Sequence, residues 1–66
     1  MTREEVGAAL RAQREKRGLT QEELAFRMDT SPSLISRIEN GRENFTIATL
    51  LRMLDELDVA CQLIAH

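Results

Sequence analysis

The stretch TSPSLISRIENG, residues 30–41, decides the fold because it holds both the start and the end of one short helix. Ser31 can cap the first backbone N–H groups, and Pro32 is tolerated at the first helical position, where no N–H donor is needed. Gly41 is typical of a helix end, since glycine adopts the left-handed conformation that stops a helix. The stretch therefore predicts a helix over 31–39.

This helix has two chemically different faces. At about 100° per residue, Ile35 and Ile38 point to one side with Leu34 at the edge. The opposite side carries small and polar residues: Ser33, Ser36, Arg37 and Asn40. Small residues let a helix approach the floor of a DNA major groove, and an arginine can donate two hydrogen bonds to guanine. The same pattern also fits an ordinary solvated helix face.

Three further helices are predicted around this one. Two begin at a Thr-x-x-Glu capping box and extend over about 2–17 and 20–28, with Gly18 ending the first. The fourth spans 46–57 from a cap at Thr46 and carries an apolar stripe: Ile47, Leu50, Leu51, Leu54 and Leu57. The short connection between the second and third helices is typical of a helix-turn-helix. These elements predict an all-α domain of four to five helices.

The last nine residues, 58–66, allow more than one structure. Apolar and polar residues partly alternate in DVACQLIAH, which favours a strand. Leu57, Ala60, Cys61 and Ile64 would equally share one helix face, so a helix or a disordered tail remains an alternative.

Several classes of function are disfavoured by composition. The first ten residues carry charge from the third residue on and contain no apolar run for a signal peptide or a membrane span, so we expect a cytoplasmic protein without a membrane partner. One cysteine, Cys61, and one histidine, His66, cannot form a four-ligand metal site within one chain. No nucleophile has a base at a plausible spacing, so we expect no enzyme activity, no metal and no cofactor.

Residues 10–41 resemble the XRE (Cro/repressor) helix-turn-helix family. The stretch RAQREKRGLTQEELAFRMDTSPSLISRIENGR, residues 11–42, matches the family motif almost without gaps. The resemblance implies a lambda-repressor-like domain that binds double-stranded DNA. It also implies an internal ion pair between Arg14 and Glu39.

The resemblance assigns DNA contacts residue by residue. Gln21 and Asn40 match positions that bind phosphate. The matches to base-reading positions are Pro32, Ser33, Ser36 and Arg37. Pro32 replaces a glutamine often found there and has no backbone N–H, so we expect one base contact to be lost. Arg27 and Arg42 are also predicted to contact phosphate, because their positive charges lie where phosphate or bases would be.

The C-terminal segment resembles antitoxins of the HipB-like branch, in which a leucine-rich helix is followed by a strand. In those relatives the strand pairs with its copy across a two-fold axis. This implies a homodimer interface that includes Val59, Cys61 and Leu63, although Asp58 replaces the usual glycine. It also implies a cognate toxin as a partner. Phe26 lies opposite the buried face of the second helix and either contacts such a partner or folds over the first helix.

The distribution of charge makes DNA binding compatible with a net charge of −2. Residues 1–18 carry five basic and three acidic side chains, whereas residues 43–66 carry one basic and four acidic side chains. The net negative charge is therefore concentrated behind the expected DNA-reading surface. Low nonspecific affinity is still expected, so useful binding needs two domains on one inverted repeat, with half-sites about one helical turn apart.

The sequence thus predicts a sequence-specific transcriptional regulator located at the nucleoid. The specific hypothesis is a dimeric repressor of its own operon, with the third helix in the major groove, serving as the antitoxin of a toxin-antitoxin pair. The alternative is a protein-interaction module that uses the helix-turn-helix fold without binding DNA.

Overall fold

The computed structural model describes residues 2–57, which form four α-helices. They are α1 (Arg3–Lys16), α2 (Gln21–Arg27), α3 (Pro32–Glu39) and α4 (Ile47–Glu56). The predicted all-α fold class is confirmed. The dimerisation strand predicted around Val59, Cys61 and Leu63 lies outside the described residues. None of the described helices is long and apolar enough to cross a bilayer.

The helices begin where the caps predict. The side chains of Thr2 and Thr20 each accept a hydrogen bond from the backbone N–H three residues on. The glutamate side chain at that position accepts a hydrogen bond from the backbone N–H of the capping threonine. These backbone hydrogen bonds hold the pKa of Glu5 and Glu23 below the ordinary carboxyl value. Because the folded state lowers both pKa values, the boxes stabilise the domain at neutral pH, and this contribution falls on acidification. Ser31 caps α3, with Pro32 in the first turn.

The first three helices end in the same hydrogen-bonded turn, with a left-handed residue just after the cap. Gly18 and Gly41 occupy this position with φ of 69° and 71°. Asp29 occupies it after α2 with φ of 55°, and the Thr30 N–H closes the turn on the Ala25 carbonyl at 2.9 Å. Aspartate is among the few non-glycine residues that tolerate this conformation. The α2–α3 turn is therefore closed without a glycine.

The core lies where α3 packs against both α1 and α2. Its buried apolar side chains are Leu10, Leu19, Leu24, Ala25, Met28, Ile35, Ile38, Met53 and Leu57. The predicted stripe of α4 is wrong at its first residue, because Ile47 is 70% exposed. Burial in α4 begins one turn later: Leu50 and Leu54 pack partly against the core, while Met53 is fully buried.

Helix α1 crosses the C-terminal end of α3 at a glycine. A methyl group placed on Gly7 would overlap the Ile38 carbonyl oxygen and lie 2.6 Å from the Glu39 carbonyl oxygen. These are backbone atoms that cannot turn aside. The two helices therefore approach as closely as they do because residue 7 has no side chain.

We predict that Gly7→Ala destabilises the domain although alanine is the better helix former. Propensity alone would stabilise α1 by about 1 kcal/mol, whereas overpacking against a backbone costs about 1–3 kcal/mol. Thermal melting followed by circular dichroism should show a lower midpoint. Ala8→Gly, at an exposed neighbouring position, measures the propensity effect alone. A higher midpoint for Gly7→Ala would contradict the close approach.

Candidate nucleic-acid interface

A buried ion pair fixes α3 to the rest of the domain. Arg14 Nε and Nη2 donate to the two carboxylate oxygens of Glu39 at 2.7 and 3.1 Å. The side chains are only 10% and 1% exposed. The hydrogen bond to Glu39 raises the pKa of Arg14, although burial opposes it. The ion pair joins the last turns of α1 and α3.

Two further hydrogen bonds extend this pair into a network. Arg14 Nη1 donates to the Leu19 carbonyl at 2.7 Å, and Gln21 Nε2 donates to Glu39 Oε1 at 3.0 Å. The network thus reaches the α1–α2 turn and the first residue of α2. Across residues 2–57, no buried side-chain nitrogen or oxygen lacks a hydrogen-bond partner. The charges are therefore compensated where they are buried.

The outward face of α3 presents the side chains predicted to read bases. Pro32, Ser33 and Arg37 are exposed, and Ser36 is half-buried. Arg37 Nη1 donates to Ser33 Oγ at 2.9 Å, which joins two of these residues one turn apart. Ile35 and Ile38 are fully buried on the opposite side. The two-sided helix expected from the sequence is present.

The residues predicted to contact phosphate have different surroundings. Arg27 and Arg42 are exposed. Asn40 is exposed too, but its amide nitrogen donates to the Ser36 carbonyl at 2.9 Å. Gln21 is half-buried and takes part in the Glu39 network. Sequence reasoning assigned Gln21 to phosphate alone and missed this internal bond.

The loop after α3 contributes two contacts that the sequence did not predict. Glu43 Oε1 accepts from Arg37 Nε at 2.9 Å, with the two side chains 31% and 49% exposed. Asn44 Oδ1 accepts from Arg3 Nη1 at 2.6 Å, which ties the loop to the start of α1. Each contact joins a helix residue to the loop after α3, so helical periodicity does not predict it.

Phe26 projects from α2 with 86% of its surface exposed. Of the two predicted positions, folding over α1 is therefore wrong. An aromatic side chain exposed to this extent is available for contact with another molecule.

The described residues contain no cluster of His, Cys, Asp or Glu side chains suited to a metal ion. Cys61 and His66, which are too few for a four-ligand metal site within one chain, lie outside the described range. What residues 2–57 offer is instead a polar face of α3 that carries one arginine, on a helix whose last residue is held by a buried ion pair.

A family model described as helix-turn-helix matches residues 10–64 of the sequence. The chain belongs to the XRE-type helix-turn-helix family. This is a family of transcriptional regulators and not of enzymes, so the expectation of no enzyme activity is confirmed.

Two curated relatives differ greatly in length. The chain is 39% identical over 56 residues to the HTH-type transcriptional regulator PrpR of Mycobacterium tuberculosis, spanning 85% of this chain but only 12% of PrpR. It is 38% identical over 55 residues to the uncharacterized HTH-type transcriptional regulator y4dJ of Sinorhizobium fredii, which covers 83% of this chain and 71% of y4dJ. The match to PrpR is therefore confined to one small part of a much longer protein.

Solved structures of regulators resemble the whole described fold. The clp gene regulator ClgR from C. glutamicum superposes with a TM-score of 0.87 at 35% identity, covering 91% of this chain and 77% of ClgR. The controller protein C.Esp1396I, solved as a tetramer with its natural 35 base-pair operator, gives 0.81 at 31% identity over 88% and 76%. HipB in a complex with the 20mer designated O2 gives 0.81 at 27% over 94% and 86%.

We predict that Glu39→Gln strongly destabilises the domain. The substitution preserves shape but leaves the Arg14 charge buried without its partner, which costs about 3–5 kcal/mol. Chemical denaturation followed by circular dichroism measures this loss.

The matched control is Glu15→Gln, which breaks the exposed i,i+4 pair with Arg11, where the glutamate is 54% exposed. Such surface pairs contribute about 0.3–0.5 kcal/mol. Equal, small losses for the two variants would show that the Arg14–Glu39 pair is not a buried constraint.

Proposed function

We propose that the protein is a sequence-specific DNA-binding repressor that inserts α3 into the major groove of an inverted-repeat operator as a homodimer. The observation that carries this proposal is the exposed face of α3, where Ser33 and Arg37 are hydrogen-bonded side by side. The opposite side of the same helix is buried. Only this face can turn toward a partner without unpacking the core.

Base reading follows from the chemistry of that face. Arg37 can donate two hydrogen bonds to guanine O6 and N7, the commonest specific contact in the major groove. Ser33 and Ser36 are small enough to let the helix backbone lie near the bases, and their hydroxyl groups donate or accept. Pro32 offers no backbone N–H and serves as a close apolar contact. Discrimination therefore falls mainly on Ser33 and Arg37.

Phosphate contacts position the helix in the groove. Arg27 and Arg42 are exposed and supply positive charge. Gln21 has two amide hydrogens, of which Glu39 takes one, so the second is available for a phosphate oxygen. Asn40 is bonded to Ser36 and must present its other amide hydrogen or rotate. These contacts carry no sequence information but fix the register of α3.

Dimerisation compensates for weak electrostatic attraction. The net charge of −2 leaves one domain with little nonspecific affinity, whereas two linked domains bind one DNA with a high effective concentration. The C.Esp1396I structure, a tetramer on its operator, is a similar fold in an oligomeric DNA complex. In this chain we assign the interface to Val59, Cys61 and Leu63, as the resemblance to HipB-like antitoxins implies.

The more specific proposal is that the protein represses its own operon as the antitoxin of a toxin-antitoxin pair, at the nucleoid. The likeness to HipB supports it, as HipB covers 94% of this chain at a TM-score of 0.81. A cognate toxin would be the second partner beside operator DNA.

A second candidate function is protein interaction without DNA binding. It is favoured by Phe26, whose aromatic side chain is 86% exposed. The two functions are distinguishable because a pure interaction module would show no preference among duplex sequences.

We predict that Arg37→Ala weakens sequence-specific binding while the fold is retained. The probe is a duplex enriched by the wild-type protein from a random-sequence library, followed by mobility shift. Loss of a base-reading arginine should cost about 1–3 kcal/mol for each domain on the DNA. Arg52→Ala is the charge-matched control, because Arg52 is an exposed arginine of α4. Its effect should be much smaller.

Two outcomes would count against the proposal. If the wild-type protein enriches no duplex at low salt, the protein-interaction function is favoured instead. If an enriched duplex binds the Arg37→Ala and Arg52→Ala variants equally well, then α3 does not read bases through Arg37.

A further inference from the structure

The carboxylate of Glu43 contacts the arginine that we assign to base reading. Its Oε1 accepts from Arg37 Nε at 2.9 Å, while Ser33 Oγ accepts from Arg37 Nη1 at the same distance. An arginine has five N–H donors, so three remain, one on Nη1 and both on Nη2. The guanidinium is therefore held in one orientation before any DNA is present.

The loop around Glu43 is held in place by contacts before and after this residue. Before it, the Arg42 N–H donates to the Arg37 carbonyl at 2.8 Å, which completes the turn at the end of α3. After it, Asn44 accepts from Arg3 at 2.6 Å, and Phe45 packs against the core. Glu43 thus lies on a segment whose position is fixed relative to both α1 and α3.

The contact selects how Arg37 can meet a base. A guanidinium can pair with guanine either side-on, through Nε and one Nη, or end-on, through both Nη groups. With Nε held by Glu43, the side-on pair is not free, and one Nη1 hydrogen and both Nη2 hydrogens remain for a base. In addition, the negative charge of the Glu43 carboxylate offsets the positive charge of Arg37. This arginine therefore attracts phosphate weakly, and its main contribution to binding comes from a correctly placed base.

We propose that Glu43 is a positioning and specificity-determining residue: it orients Arg37 for end-on base contact and lowers binding to DNA of unrelated sequence. This inference rests on the proposed DNA-binding function. It adds to that function an acidic residue, outside α3, that increases discrimination at the expense of general affinity.

The test compares Glu43→Ala and Glu43→Gln with the wild-type protein. The probes are the duplex enriched by the wild-type protein from a random library, single base-pair variants of it, and a scrambled duplex, all at one salt concentration. Discrimination is the ratio of Kd values between a single base-pair variant and the enriched duplex. It is read at the base pair where Arg37→Ala abolishes the preference.

Glu43→Ala should bind the scrambled duplex more tightly and lose about two- to tenfold of the discrimination at that base pair, the size expected for losing one pre-ordered side chain. Glu43→Gln separates orientation from charge, because its amide oxygen still accepts from Arg37 Nε. It should also bind scrambled DNA more tightly, yet keep most of the discrimination. Thermal melting verifies that each variant is folded.

Two controls isolate the effect. Asp55→Ala removes an exposed acidic residue of α4 and should leave discrimination at the Arg37 base pair unchanged. In an Arg37→Ala background, Glu43→Ala should have no further effect on discrimination, because the group that it orients is gone.

The proposal is overturned if Glu43→Ala keeps full discrimination, or if it reduces discrimination equally with and without Arg37. Failure of the wild-type protein to enrich any duplex would instead overturn the DNA-binding function, and this proposal with it. Specific binding by the wild-type protein with no effect of Glu43 would remove this proposal alone.

Discussion

The geometry of the domain depends on one buried carboxylate, that of Glu39, which accepts two hydrogen bonds from Arg14 and one from Gln21. These three residues come from α3, α1 and α2. A buried charge is tolerated only when its partners are correctly placed, so packing arrangements that separate these helices carry a large penalty. The pair therefore specifies how α3 is oriented. Gly7 allows this arrangement, because it lets α1 approach the end of α3 where Glu39 lies.

Local signals predicted the helices well, because their causes lie within a few residues. The Thr-x-x-Glu boxes, the Ser-Pro start of α3 and the faces set by Ile35 and Ile38 are all present in the structure. The left-handed conformation of Asp29 was not predicted. Aspartate tolerates this conformation but does not favour it, so the residue type gives no clear signal. The exposure of Ile47 was not predicted either, because helical spacing shows which residues share a face but not where the core ends.

Contacts between distant residues were predictable only in part. Arg14 and Glu39 are 25 residues apart, so no spacing rule joins them, and the pairing was expected only from the family resemblance. The resemblance did not include Glu43, whose contact with Arg37 crosses the end of α3. These observations bear on how a protein with a net negative charge could bind DNA. One of the four acidic residues of 43–66, Glu43, is not behind the proposed reading surface but contacts Arg37 on it.

Backbone amide chemical shifts measured during titration with the enriched duplex test most directly whether the outward face of α3 is the DNA-binding surface. We expect the largest changes in residues 31 and 33–37 and in the loop 42–45, with small changes along residues 6–14 of α1, whose buried side chains face the core. Large changes confined to α4 or around Phe26, with α3 unaffected, would contradict the proposed reading surface and identify a different binding face.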